Sequence, residues 1–104
     1  MTESNEENNL PLFPLGRVVM TANLQAKLQE ANPACWEAEL IGLISHHASG
    51  DWGDLDEDDK QQNDLALDRG FRVFSAYKTG SGVKIWIITE ADRSVTTLLL
   101  PEDY

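Results

Sequence analysis

The apolar positions of this chain keep a period of three to four through its middle and a period of two after Phe71. "FRVFSAYK" sets Phe71, Val73, Ser75 and Tyr77 against Arg72, Phe74, Ala76 and Lys78, the alternation of a half-buried strand. "TGSG" is turn chemistry, and the "VKIWIITE" that follows is the most buried-looking segment, a central strand with Trp86 in the core. "ADRS" predicts a second tight turn, and "VTTLLLP" a third strand that Pro101 stops.

Upstream, Leu24, Leu28 and Ala31 share one face of a helix over 22–31, with Thr21 as its N-cap. Asn32-Pro33 ends it, because a residue before proline avoids the helical region, and Pro33 suits the first turn of the next helix. Trp36, Leu40, Leu43, Ile44 and His47 form an apolar stripe on that second helix, and Gly50 suits its C-terminal stop. A third helix follows "DWGD", capped by Asp54 or Asp56, with Leu65 and Leu67 as anchors and Arg69-Gly70 at its end. "GRVVMT" near the start reads as a short strand. The fold class expected is α+β: a short N-terminal strand, two to three helices, then a three-stranded antiparallel meander with the helices packed on one face. Residues 1–14 read as a flexible acidic tail and an extended Pro segment, and 15–104 as a single domain.

Composition adds a compartment and a sign of charge. No apolar run approaches the length of a membrane helix, and the acidic start lacks the basic residues of a signal peptide. The single Cys35 can form no internal disulfide, which fits the cytoplasm, and it reads as a small buried side chain. Eighteen acids against eight bases give a formal charge of −10. That sign repels nucleic-acid backbones and anionic membranes, so neither is an expected partner. A protein with a basic surface is.

The acids concentrate. Residues 46–70 hold eight carboxylates and two adjacent histidines, opposed only by Lys60 and Arg69. Asp54, Asp56 and Asp58 have the spacing that opens a calcium loop, but Asp59 and Leu65 stand where that loop needs glycine and glutamate. His46 and His47 point about 100° apart on a helix and lack ligand spacing, so no metal and no cofactor are expected. His47 reads as a satisfied, semi-buried residue on the apolar stripe. No G-x-S-x-G, phosphate loop or Cys–His pattern marks an enzyme. What remains is an acidic face of Asp56, Glu57, Asp58, Asp59 and Asp64. Beside it stands a polar cluster of Asp51, Trp52, Asp54, Tyr77, Glu90, Asp92 and Arg93, either structural or lining a pocket.

The segments "GDWGDLDEDDKQQNDLAL" and "SAYKTGSGVKIWIITEADRSVTTLLLPEDY" resemble a family of small proteins of plasmids, prophages and integron cassettes. The shared pattern is a G-D-W-G-D segment, a serine-x-tyrosine strand and a W-I-I-T-E-A-D-R-x-x-T-T-x-L-L-P ending. It covers roughly residues 15 to 104. The resemblance implies an accessory protein of mobile DNA and no particular activity.

Three readings follow. The first is an interaction module whose acidic stretch meets a basic protein, in its extreme form an inhibitor that mimics DNA. The second is a small-molecule-binding protein or small enzyme with a pocket around Trp52, Glu90, Asp92 and Arg93. The third is a homodimer joined at the Val95–Leu100 edge, where Leu98, Leu99 and Leu100 put apolar groups on both faces.

Overall fold

The computed structural model describes residues 11–104, and the expected acidic tail at 1–9 lies outside them. The order is β1 (Arg17–Met20), α1 (Ala22–Ala31), α2 (Trp36–Ala48), α3 (Glu57–Arg69), β2 (Val73–Lys78), β3 (Lys84–Thr89) and β4 (Val95–Leu99), with a 3-10 turn at Pro101–Asp103. The described residues are α+β with three α-helices, and the last three strands pair antiparallel in sequence order.

The sheet is larger and mixed. Its order is β1-β4-β3-β2, and β1 lies parallel to β4 with Arg17 opposite Val95 and Met20 opposite Leu98. That pairing corrects the expected meander standing alone. It also removes the expected dimer edge: both sides of β4 are already paired, so Val95–Leu100 offers no free ladder to a twin. The sequence distance between β1 and β4 hid this contact, because a parallel pair needs a long crossover, and here three helices and two strands supply it.

Alternation decides which side chains meet the helices. Val73, Ser75 and Tyr77 of β2, Ile85, Ile87 and Thr89 of β3, and Thr96 and Leu98 of β4 are all buried on the helix side. Leu24 and Leu28 of α1 and Leu40 of α2 pack there with Ile85, Ile87, Leu98 and Leu100. Thr21 caps α1 as expected, accepting from the Leu24 amide at 3.2 Å. Ala31 is exposed and adds nothing to that face. A second cluster of Phe13, Trp52, Ala66 and Val73 lies under α3, so Phe13 anchors the Pro segment while Leu12 stays 60% exposed.

Trp86 does not sit in this core. It shares parity with Lys84 and Ile88 and projects from the opposite, helix-free face, where Phe74 and Tyr104 meet it edge-on at 4.9 and 5.7 Å. Apolar run length identified a central strand, but it could not assign a face to a residue flanked by isoleucines on both sides. Cys35 is also corrected, since it stands exposed at the N-cap of α2.

Candidate functional site

The acidic helix α3 is built at its ends by local bonds. Asp56 in extended backbone accepts from the Asp59 amide at 2.9 Å, and Gly70 at φ 75° closes the other end. Glu57, Asp58 and Asp59 fill the first turn, where the helix dipole favours negative charge. The helix buries only Asn63 and Ala66. Leu65, expected as an anchor, is 45% exposed, while Leu67 packs partly against the second cluster. Asn63 takes the core-facing position for a reason the apolar pattern cannot show. Its amide accepts from Phe74 N–H at 3.0 Å and donates to the Phe74 carbonyl.

That clamp works on the free edge of β2. Next to it, Asp54 N–H reaches the Ala76 carbonyl at 2.7 Å and Ala76 N–H reaches the Trp52 carbonyl at 3.3 Å. The "DWGD" loop therefore lies along β2 as a one-residue parallel bridge and, with Asn63, satisfies the outward groups of Phe74 and Ala76. An unpaired edge invites association with other strands, and this one is covered. Gly53 is required for the approach: a Cβ there would stand 2.0 Å from the Ala76 carbonyl oxygen, at φ +73°.

The eight carboxylates of 51–68 then divide. Asp51 accepts from Gly53 N–H at 3.2 Å and pairs with His46 at 3.1 Å. Asp56 is the cap. Asp64 accepts the Trp52 indole N–H at 3.2 Å. Asp54, Glu57, Asp58, Asp59 and Asp68 are exposed, and among the described residues their carboxylates have no hydrogen-bond or ion-pair partner.

The polar cluster expected around Trp52 is not one cavity. Trp52 is only 4% exposed and lies against Phe13 and His47. Tyr77 is buried too, its hydroxyl donating to the Asp51 carbonyl, and burial pushes its pKa up to about 12. Arg93 is at the β3–β4 turn with φ 61°. Its guanidinium donates to the carbonyls of Phe71 at 2.6 Å, Glu90 at 3.0 Å and Ala66 at 3.2 Å, and lies over the Phe13 ring. This ties the end of α3 to the turn. Asp92 closes the same turn on Ser94, whose hydroxyl holds the carboxyl below its ordinary range. Glu90 faces away, toward Arg72 at 3.4 Å.

At the centre of the molecule runs a chain of buried polar groups. Thr96 Oγ1 donates to the Leu15 carbonyl at 2.7 Å, so it must accept from Thr89 Oγ1 at 2.6 Å. Thr89, its one proton spent, accepts from His47 Nε2 at 2.9 Å, which leaves Nδ1 to accept from the Ser75 hydroxyl. The network thus assigns the Nε2–H tautomer, and burial holds the His47 pKa at about 4, so the ring is neutral. His47, Ser75, Thr89 and Thr96 have no solvent exposure. A histidine beside a serine suggests a nucleophile, yet no outside substrate reaches this pair; the chain fastens the Pro segment to α2 and the sheet. Its signal in the sequence is parity: Ser75 alternates with Val73 and Tyr77, Thr89 with Ile85 and Ile87, and Thr96 with Leu98.

No helix among the described residues is long and apolar enough to cross a membrane. The chain matches no family model, no curated protein and no solved structure.

Proposed function

We propose that the protein acts by protein–protein interaction, offering the acidic side of α3 and its preceding loop to a partner with a basic surface. The observation that carries this reading is the division of carboxylates: three are used by the fold, while Asp54, Glu57, Asp58, Asp59 and Asp68 face solvent unpaired. A helix polar on nearly all sides gains little from packing, and concentrating like charges on it works against stability. Such a surface steers a positive partner and sets which partner binds. The motif resemblance supports a cytoplasmic accessory role in mobile DNA, and inhibition of a basic nuclease by carboxylates in place of phosphates is the extreme form. The polar cluster around Trp52 gives the small-molecule alternative less support, since Trp52 and Tyr77 are buried and Arg93 is spent on carbonyls.

The test is a variant with Glu57→Gln, Asp58→Asn and Asp59→Asn, which leaves the Asp56 cap and the Asp64–Trp52 bond in place. Proteins captured by wild type from a host lysate at low salt should be lost with the variant, and also lost with wild type at high salt. Capture of the same proteins by both, at the same salt, would remove the acidic face from consideration.

A further inference from the structure

The helix-free face of the sheet breaks the pattern of its charge and its polarity. A sheet with helices on one side ordinarily presents polar residues on the other. Here the outward positions include Val19, Val95, Leu99, Ile88, Trp86, Phe74 and Ala76. Ile88 and Leu99 are only 6% and 5% exposed on this face. The remaining outward positions are Thr97 and four bases, Arg17, Arg72, Lys78 and Lys84, half of the eight in a chain whose formal charge is −10. The carboxylates of α3 belong to the other side.

Within this face Arg72, Phe74, Trp86, Ile88 and Tyr104 line a cleft of about 220 Å³. Phe74 and Tyr104 approach Trp86 edge-on, so the cleft has aromatic walls over an aliphatic floor at Ile88. Arg72 closes one side. Its Nη1 donates to the Tyr104 hydroxyl at 2.9 Å and its Nε to Glu90 at 3.4 Å. A guanidinium has five N–H groups, so three remain unspent on a side chain that is 47% exposed. Tyr104 and Glu90 hold its plane in place, which is the preparation that two-point recognition of a carboxylate requires.

We propose that this cleft binds a small planar aromatic carboxylate, its ring held among Phe74, Trp86 and Tyr104 and its carboxylate on Arg72. The volume lies below the ~300–1,000 Å³ of drug-sized sites, which restricts the ligand to one or two rings. The charge follows from the free guanidinium donors. A cation is disfavoured by Arg72, and a neutral ring leaves those donors unmatched. The site is separate from the acidic helix and stands or falls independently of it.

The experiment is an NMR titration that follows the indole N–H signals of Trp36, Trp52 and Trp86. The probes are 2-naphthoate and its neutral isostere 2-naphthamide, each taken to millimolar concentration. Naphthoate should move the Trp86 signal and leave Trp52 still, and the amide should bind at least tenfold more weakly. Arg72→Gln, at an exposed position, should keep the melting temperature and bring naphthoate down to the affinity of the amide. A Trp86 signal that does not move overturns the proposal. So does equal binding of acid and amide by wild type, or unchanged naphthoate binding in Arg72→Gln.

Discussion

His47 Nε2 stands 2.9 Å from Thr89 Oγ1 with no solvent on either, and this bond joins helix α2 to the inner strand β3 of the sheet. A neutral ring is built into the fold there, and the consequence is a dependence on pH.

Burial lowers the His47 pKa from 6.5 to about 4, so between those values the unfolded chain binds a proton that the folded chain refuses. The contribution is fully present above the unfolded value and is lost as pH falls through the window toward the folded one. At about 1.4 kcal/mol per pH unit, the interval corresponds to roughly 3 kcal/mol. Acid changes the stability of the whole chain, so the informative quantity is a difference between wild type and a variant without the ring. Urea unfolding of wild type and His47→Gln should show a stability gap that is widest near neutrality and narrows toward the acid end of the window. A gap that stays constant across that range would mean that His47 is not the titrating group.

The two sheet-associated tryptophans should respond oppositely to what their surroundings in sequence suggest. Trp52 sits in a glycine- and aspartate-rich loop but is 4% exposed between Phe13 and His47. Trp52→Ala should cost about 3–5 kcal/mol, the range for a large buried aromatic. Trp86 sits in the most apolar strand but on the open face, and Trp86→Ala should cost about 1–2 kcal/mol, a fraction of the value for full burial. Thermal melts of the two variants give the order directly, and a reversed order would contradict the assignment of faces.

The same contrast shows what the sequence contained. Period-two alternation located β2, β3 and β4 and even paired Ser75 with the inward set, and the caps Thr21 and Gly70 stood where helix chemistry puts them. Local rules govern those features. The parallel pairing of β1 with β4, the Asn63 clamp on β2 and the reach of Arg93 to Ala66 join residues far apart in the chain or opposed in polarity. Asn63 and Arg93 put polar groups where an apolar pattern predicts none, and in all three cases only the tertiary partner explains the contact. The acidic stretch was legible as a cluster, but its division into tied and free carboxylates depended on Trp52 folding back onto Asp64.

Asn63 tests the edge directly. Asn63→Ala leaves one donor and one acceptor of Phe74 without partners, at roughly 1–3 kcal/mol for each group denied a bond. Asn63→Asp is nearly isosteric, yet it can only accept: it keeps the bond from Phe74 N–H and sets a carboxylate against the Phe74 carbonyl. Both should lower the melting temperature, and both should increase aggregation by light scattering as the β2 edge opens. If Asn63→Asp behaves as wild type, the amide's donation to Phe74 contributes nothing and the edge is closed by the Trp52–Asp54 loop alone.

Asp68 separates stability from function on the acidic helix. It lies in the last turn of α3, where the dipole disfavours a negative charge, and one turn beyond Asp64. Like charges at that spacing destabilise by about 0.2–0.5 kcal/mol, and the dipole term is of similar size. Asp68→Asn should therefore raise stability by about 0.5 kcal/mol, whereas Glu57→Gln or Asp59→Asn, in the first turn, should lower it slightly. Chemical denaturation resolves the sign for each. If Asp68→Asn stabilises the protein but weakens capture of its partner, the carboxylate is there for binding at the expense of the fold. If it stabilises the protein and capture is unaffected, Asp68 lies outside the interacting surface, which must then centre on the first turn and Asp54.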